Sequence, residues 1–416
     1  MNGTQKERGS TMADSEKLGT KNSHFVPQFI QRWYGNNINV FNVKTQEYFP
    51  DRNPKSIFSE IGLYPDELES KFNEKMECDA STLLARKILS AKKKVDLTRK
   101  DVQIIKRFLM MGMLRTADCI KLGTSIRDLY PLHQPFFDPE KRYASELEKK
   151  ESSVDYWIRT LESILDLQED FNPLTVREHP NSTFFAFYWT ALVTSGYIAI
   201  WDAPEGHEFV ITDIGMTSEV EKRDNFYGVI EGRKKKLLMA LYNTYKESAG
   251  NPETKELKLR SVRQILAWQY QFNETFFMFP LSAKRMIVLI NPFFKEYQAS
   301  YELLKDLLPP LSYFTNMDDM RLYQPNQSEK MITDNSPRSL KDKYTYVPIE
   351  LKPKEIKYCN CLLLDRIHTW LGFGSMECVY QSILEYEKEP YARNDYTNLY
   401  RLAHEYANAK KDARSE

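Results

Sequence analysis

The sequence predicts an α+β fold in which predominantly long helices pack on a small, largely antiparallel sheet, with a C-terminal helical segment. Apolar residues recur at helical spacing after Pro65 and after Thr98, whereas strand-like runs such as "RMIVLI" lie next to one another along the chain. Sequence-adjacent strands favour this class over a doubly wound sheet. With 13% aromatic and 42% hydrophobic residues, the chain can bury enough apolar surface to offset its conformational entropy.

The domain organisation follows from shifts in composition along the 416 residues. The start of the chain is polar and without periodicity, and a second polar, irregular stretch separates the central region from the C-terminal helices. We predict a disordered tail at 1–22, a main α+β domain at 23–310, an irregular loop or linker at 311–345, and a C-terminal helical segment at 346–416 packed on the main domain.

Two helices carry the clearest signals. Leu68, Phe72, Met76, Leu83 and Leu84 form an apolar stripe on a helix that starts near Pro65, where a missing N–H costs nothing. The segment "TRKD" at 98–101 is a capping box with Asp in place of Glu, and it predicts the start of a second helix. Further helices are predicted over 143–167, around "RKKKLLMALYNTYKES", over 353–387 and over 395–411.

Strands are predicted on both sides of Lys44–Glu47, as a hairpin, and in the segment "ETFFMFPLSAKRMIVLINP", with its turn at Pro280–Ser282. The uncharged segment Ser182–Trp201 has the length of a membrane span. Its last part is rich in strand formers, so we predict a buried helix followed by a strand and no membrane insertion.

Charge and cysteine content indicate which partners and which cellular compartment to expect. The 58 basic and 58 acidic residues cancel, so nucleic-acid binding requires a local patch. The run Arg233, Lys234, Lys235 and Lys236 is such a patch, and a solvated helix end is the alternative. Five cysteines without a paired framework, and a start without an apolar leader, predict a reduced, cytoplasmic environment.

Common catalytic signatures are missing from the sequence. It contains no phosphate-binding G-x-x-x-x-G-K-[ST] loop, no G-x-G-x-x-G, no H-E-x-x-H, no G-x-S-x-G and no C-x-x-C. The missing motifs argue against the common classes of nucleotide-binding proteins, zinc proteases and serine hydrolases.

Four acidic or imidazole side chains are candidates for chemistry. His24 acts as a base or ligand, or is a buried hinge histidine beside Phe25 and Pro27. Glu69 falls inside the apolar stripe of its helix, and Glu77 lies about 80° further round at 3.6 residues per turn. A carboxylate facing the core needs a cation, so this pair suits metal binding or acid–base catalysis, or an internal ion pair with Arg115 or Arg107.

Asp213 is the fourth candidate, because it ends the apolar run "EFVIT" ahead of a glycine. A polar acid at a strand end is a frequent place for a functional group. It is equally a common turn-forming residue.

Several short fragments together resemble the domain of unknown function 4238 family over about residues 23 to 300. Their order carries the resemblance: "HFVPQFIQRWY", "INVFNVKT", "ELESKFNEKMECDASTLL", "MLRT", "FVITDIGMT" and "FPLSAKRMIVL". The positions that match the family pattern are His24 and Pro27, Glu69 and Glu77, Arg115, Asp213, and Pro280, Leu281 and Ser282.

The resemblance implies a cytosolic, mostly bacterial protein with a shared site. Two positions depart from the family pattern: Thr212 replaces the usual serine, and Gly215 replaces the usual proline. The turn after Asp213 is therefore expected to differ in geometry. Analogy with uncharacterised bacterial proteins of this kind suggests a toxin or phage-defence effector.

The leading hypothesis is a metal-dependent hydrolase. His24, Glu69 and Asp213 would converge with Arg115, and Glu69, Glu77 and Asp213 would bind Mg²⁺ or Mn²⁺ to cleave a phosphodiester in RNA or DNA. Arg115 would hold the phosphate with two parallel hydrogen bonds. The alternatives are a non-catalytic protein-interaction or sensor module with a structural polar network, and a hydrolase that holds a small molecule against 184–201.

Overall fold

The structure is a computed structural model that describes residues 18–20, 22–116, 119, 151–167, 175–176, 179–220, 274–290, 342–388 and 397–415. The predicted basic patch at 233–236, the helix around it and most of the predicted loop at 311–345 lie outside the described residues. Of the helix predicted over 143–167, the described part forms a helix over Ser153–Asp166.

Helices and strands alternate along the described chain, which gives the predicted α+β class. The helices are α1 (Gln28–Tyr34), α2 (Asp66–Phe72), α3 (Cys78–Leu83), α4 (Arg99–Leu114), α5 (Ser153–Asp166), α6 (Phe184–Ser195), α7 (Pro353–Leu364), α8 (Met376–Tyr386) and α9 (Thr397–Ser415). The strands are β1 (Asn22–His24), β2 (Ile38–Asn42), β3 (Glu47–Arg52), β4 (Ser59–Ile61), β5 (Val95–Thr98), β6 (Tyr197–Asp202), β7 (Ile211–Thr212), β8 (Thr217–Val220), β9 (Glu274–Ser282), β10 (Arg285–Ile290), β11 (Lys343–Tyr346), β12 (Ile349–Glu350) and β13 (Trp370–Phe373).

One helical stretch runs without interruption from Asp66 to Leu89. It contains α2 and α3, each followed by a π-helical segment, Asn73–Glu77 and Leu84–Leu89. The predicted apolar stripe is buried along its length, and Pro65 stands at the N-cap as expected. The π-helical segments were not predicted, because their extra residue per turn leaves no mark on an apolar stripe this short.

The second predicted helix start is also confirmed. The Thr98 side chain accepts a hydrogen bond from the backbone N–H of Asp101, and the Asp101 carboxylate accepts one from the backbone N–H of Thr98. This reciprocal pair satisfies two backbone donors that the first turn of α4 would otherwise leave unpaired.

The sheets are more numerous than the single small sheet that the sequence predicts. Within the described residues, β1 pairs with β4 and β11 with β5, while larger sheets have the orders β12-β6-β10-β9-β8 and β3-β2-β13-β7. All these pairs are antiparallel except β12 with β6. The hairpin β2–β3 is confirmed, but its sheet is completed by β13 from the C-terminal part of the chain.

The five-stranded sheet separates two apolar cores. Along β6, Ile198 and Ile200 belong to the core that contains α4, α5 and α6, whereas Ala199 and Trp201 belong to the core that contains α7, α8 and α9. Strand β10 alternates in the same way. Because both faces are covered, these strands are almost continuously apolar, which explains the uncharged segment in the sequence.

Three buried basic side chains bind the carbonyl groups at the ends of helices. Lys106 donates to the carbonyls of Thr194 and Gly196 at 3.1 and 2.6 Å, and Arg107 donates to that of Leu167. Arg285 donates to the carbonyl of Ala91 at 2.7 Å and pairs with both oxygens of Asp202 at 2.6 Å. Such groups satisfy the last carbonyls of a helix and oppose its C-terminal partial charge.

Several predicted boundaries are corrected by the structure. The predicted tail at 1–22 ends too late, since Leu18 donates to the carbonyl of Gly62 at 2.9 Å and Asn22 pairs in β1. The turn predicted at Pro280–Ser282 lies two residues later, because β9 continues to Ser282. The long helix predicted over 353–387 is two helices with β13 between them.

None of the helices in the described part of the chain is both long and apolar enough to cross a membrane. The uncharged segment forms α6 and then β6, as its composition predicted.

The close packing of Gly372 gives a test of this architecture. A Cβ atom at this position in β13 would lie 2.8 to 2.9 Å from side-chain atoms of Ile211, Ile38 and Phe58. We expect Gly372→Ala to lower the free energy of unfolding by about 1–3 kcal/mol, as overpacked cores do. The matched control is Gly112→Ala in α4, where nothing lies within 4 Å and we expect a gain of about 0.5–1 kcal/mol. Urea denaturation measures both; equal effects would contradict the packing of β13.

Candidate functional site

His24 is held at the end of β1 by its backbone and not by its ring. It pairs with Ser59 of β4, its carbonyl accepts a hydrogen bond from the hydroxyl of Tyr64 at 3.3 Å, and the next residue, Phe25, donates to the carbonyl of Phe58 at 3.0 Å. Phe58 is fully buried with a φ of 52°, which is unusual for an aromatic residue. Backbone strain of this kind is maintained only where the surroundings enforce it.

The π-helical segment brings Glu69 and Glu77 onto one surface. Glu69 lies on α2, and Glu77 is the last residue of Asn73–Glu77. An ideal α-helix would separate them by about 80°. A π turn contains more residues, so each residue rotates the chain by less, and the two side chains line the same cavity.

Arg115 joins these two glutamates from the other side. It caps the C-terminal end of α4, its side chain is 1% exposed, and its guanidinium lies 2.5 Å from Glu77 Oε1 and 3.9 Å from Glu69 Oε2. The same group lies over the ring of Phe72 at 4.1 Å. Of the two arginines predicted as partners, Arg115 makes the ion pair.

His24, Glu69 and Glu77 open onto one cavity with a volume of about 500 Å³. This volume is in the range of small-molecule sites. The polar residues at its wall come from α1 and from the stretch after Asp66, while Phe29 supplies an aromatic face. The lining residues are His24, Pro27, Gln28, Phe29, Arg32, Glu69, Ser70, Asn73, Glu77, Cys78 and Ser81.

The imidazole of His24 is neutral at physiological pH. Burial lowers its pKa to about 4, helped by the charge of Arg115 and opposed by Glu77 and the carbonyl of Ile57. Its Nε2 atom lies 2.8 Å from the amide nitrogen of Gln28, whereas its buried Nδ1 has no hydrogen-bond partner. The ring is therefore uncharged and is bonded to Gln28 through Nε2.

The pKa of the Glu69 carboxyl group is raised. Burial is the largest cause, and the charge of Arg115 and the nearby hydroxyl of Tyr64 oppose the rise. Its Oε2 atom is buried and has no hydrogen-bond partner. For Arg115, burial alone would lower the pKa, but Tyr64, Glu77 and Glu69 raise it above its usual range, so the cluster contains a permanent cation.

Asp213 does not line this cavity. Its carboxylate accepts backbone hydrogen bonds from His368, Thr369 and Trp370 at 3.1, 2.7 and 3.2 Å, and its own N–H donates to the carbonyl of Trp370. Burial raises its pKa in spite of these bonds. The turn-forming role that the sequence left open is the one that the structure shows, and the predicted convergence with Glu69 and Glu77 is not formed.

The other positions that match the family pattern shape the backbone. Ser282 accepts hydrogen bonds from the N–H groups of Lys284 and Arg285 at 3.2 and 3.1 Å and so closes the β9–β10 turn. Gly215, where the family has proline, has a φ of 69°, which a proline ring cannot adopt. A proline at this position would therefore require a different backbone conformation.

The predicted metal ligands do not fit a preformed ion site. Among the described residues, no group of three or more His, Cys, Asp or Glu side chains is arranged to hold a metal ion. Glu77 is already bound by the guanidinium of Arg115, and Asp213 is engaged by three backbone N–H groups. We therefore assign no catalytic step to a metal ion.

Gln28 and Arg32 were not predicted from the sequence. Both line the cavity, and Arg32 donates to Gln28 Oε1 at 3.1 Å while Gln28 contacts His24. Their separation of four residues was the available signal, since it places the two side chains on one side of a helix. It could not be used without knowing that α1 begins at Gln28.

A family model described as "Protein of unknown function (DUF4238)" matches residues 22–370. The chain belongs to this family, and the match contains the entire cavity as well as Asp213. Comparisons with curated proteins and with solved structures find no match. The activity must therefore be argued from the site itself.

The role of Asp213 can be tested by an almost isosteric change. Asp213→Asn removes the negative charge that three backbone donors share, so we expect the free energy of unfolding to fall by about 1.5–3 kcal/mol. Urea denaturation measures the loss, with Asp79→Asn on the exposed surface of α3 as the control. If Asp213→Asn instead loses cleavage activity and keeps the full stability of the wild type, Asp213 belongs to the active site.

The buried His24 predicts acid sensitivity. Its pKa is about 4 in the folded protein against an ordinary value of 6.5, so the folded state binds fewer protons between these values. The free energy of unfolding should fall by about 3 kcal/mol as the pH drops from 7 to 4. In His24→Gln this part of the decrease should disappear. The raised pKa of Glu69 favours the folded protein as the pH falls, and this opposing contribution remains in the variant. Denaturation at several pH values measures it; His404→Gln, at an exposed site, should behave as wild type.

Proposed function

We propose that the cavity is the active site of a phosphodiesterase that cleaves RNA without a metal ion. The observation that carries the proposal is the carboxyl group of Glu69, which is half-buried, has a raised pKa and belongs to a residue that lines an open cavity. A carboxylate in such a position is suited to remove a proton from a bound nucleophile, because its pKa is shifted toward the operating pH.

The absence of an assembled ligand set among Glu69, Glu77 and Asp213 favours RNA over DNA as the substrate. Cleavage of DNA by water needs a strong nucleophile, which a bound metal commonly supplies. RNA carries its own nucleophile, since the 2′-hydroxyl lies next to the phosphorus and needs only a base. RNA cleavage would also suit the toxin or defence effector suggested by analogy.

In the proposed reaction, Glu69 takes the proton of the 2′-hydroxyl. The 2′-oxygen then forms a bond to phosphorus, the bond from phosphorus to the 5′-oxygen breaks, and the departing oxygen takes a proton from solvent at the mouth of the cavity. The products are a 2′,3′-cyclic phosphate and a free 5′-hydroxyl. Neutral His24 stands beside this site as a hydrogen-bonding group, and Phe29 offers a face for base stacking.

The charges of the cavity are compatible with an anionic substrate. Glu77 and Arg115 form a pair that is neutral as a whole. Arg32 adds a positive charge at the wall. The site therefore does not repel a phosphate, even though two glutamates line it.

A second candidate is the non-catalytic module with a structural polar network. It is favoured by the burial of Arg115, which ties α4 to Glu77 and stacks on Phe72. This role and catalysis are separable, because the short contact of Arg115 is with Glu77 at 2.5 Å, whereas Glu69 lies 3.9 Å from the guanidinium.

The test is cleavage of labelled RNA by the purified chain in the presence of EDTA. We expect cleavage by the wild type, and a fall in kcat/KM of about 10²- to 10⁴-fold in Glu69→Gln, the usual contribution of a general base. The wild-type rate should rise with pH through the raised pKa of Glu69. The products should carry a 2′,3′-cyclic phosphate.

The matched control is Glu74→Gln, at an exposed position of the same helical stretch, which should cleave as wild type. Circular dichroism and urea denaturation establish that both variants fold. Wild-type protein that leaves RNA intact under these conditions, or Glu69→Gln that cleaves normally, would reject the proposed enzyme.

A further inference from the structure

Three side chains form a hydrogen-bonded chain along the cavity wall. Arg32 donates to Gln28 Oε1 at 3.1 Å, and Gln28 Nε2 lies 2.8 Å from His24 Nε2. Gln28 and Arg32 are four residues apart on α1, so their side chains lie on one side of the helix, and His24 meets Gln28 from the end of β1. The chain runs from an exposed guanidinium to a buried imidazole.

The first hydrogen bond fixes the direction of the second. A guanidinium can only donate, so the amide oxygen of Gln28 must face Arg32 and the amide NH₂ must face His24. His24 Nε2 then accepts, and the proton of the neutral ring lies on Nδ1. Arg32, at the solvent side, thereby determines the tautomer of a histidine that is 5% exposed.

This tautomer leaves a buried donor unsatisfied. Nδ1 is buried without a hydrogen-bond partner, although the carbonyl of Ile57 faces the ring. A buried N–H without an acceptor costs free energy. Arg115 and Glu77 act on the ring only through their charges, whereas the amide of Gln28 bonds to it directly and the carbonyl of Ile57 faces it.

Arg32 is also the cation of the wall that is free to bind an anion. Arg115 is committed to Glu77, whereas Arg32 forms no ion pair with any residue in the part of the chain that the structure describes. An exposed guanidinium on a cavity wall fits the oxygens of a phosphate group through paired hydrogen bonds.

We propose that Arg32 binds the phosphate group of the ligand, and that this binding switches the tautomer of His24 through Gln28. A phosphate on Arg32 releases Gln28 Oε1, the amide rotates to present this oxygen to His24, and the ring proton moves from Nδ1 to Nε2 by exchange with water. Gln28 is a positioning residue in this scheme. In the switched state the Nε2–H of the ring donates to Gln28 Oε1.

This inference rests on the proposed function for the phosphodiester as the natural ligand, but its test needs no cleavage. Inorganic phosphate is the probe, and the ¹⁵N chemical shifts of the His24 ring, assigned with His24→Gln, report the tautomer at pH 7. We expect the Nδ1–H form in the free protein and the Nε2–H form at saturating phosphate.

Variants separate the two parts of the scheme. Arg32→Gln should weaken phosphate binding by about tenfold or more, as loss of charged hydrogen bonds does. Gln28→Leu should still bind phosphate but show the same ring signals with and without it. Arg86→Gln, which removes an exposed arginine from the helix after Glu77, should bind and switch as wild type.

The outcomes distinguish this inference from the ribonuclease proposal. Ring signals that stay in the Nδ1–H form at saturating phosphate overturn the switch, whether or not RNA is cleaved. Phosphate binding that is unaffected by Arg32→Gln overturns the anion site. A switch without RNA cleavage keeps the anion site and rejects only the enzyme.

Discussion

The arrangement of the cavity depends on the burial of one charge, the guanidinium of Arg115. A cation that is 1% exposed is tolerated only with a closely placed partner and further favourable contacts, because the cost of removing it from water is several kcal/mol. Glu77 supplies the carboxylate, Glu69 the second negative charge, and Phe72 the aromatic face. All three come from the stretch Asp66–Leu89, so the end of α4 can dock against it in one register.

The need to pair the buried charge of Arg115 also explains why polar side chains line a cavity at this place. Glu77 makes the short contact with Arg115, whereas Glu69 lies 3.9 Å from the guanidinium. Burial, and not a neighbouring acid alone, raises the pKa of Glu69. The two glutamates thus line one cavity in different states: Glu77 is tightly paired, and Glu69 is more loosely paired and has a raised pKa.

Much of this site could be predicted from the sequence, and the failures have identifiable physical causes. A glutamate inside an apolar stripe must meet a cation, which correctly connected Glu69 to Arg115. Asp213 was misassigned because a strand-end acid that binds backbone N–H groups 155 to 157 residues away looks like one that binds a ligand. Likewise, the sequence did not predict β13 between the two helices, because a run of four residues that includes a glycine has too little periodicity to indicate a strand.

The π turn at Asn73–Glu77 has a consequence for how the family can vary. A π turn is an α turn with one residue added and a smaller rotation per residue, so deleting a single residue there would restore a regular helix and leave the helix after it in the same orientation. Glu69 and Glu77 would then be seven residues apart, about 20° round a regular helix, and would still share one surface. By contrast, straightening the turn without a deletion would separate them by about 80°. The family can therefore vary in length by one residue at this turn and keep the surface that lines the cavity.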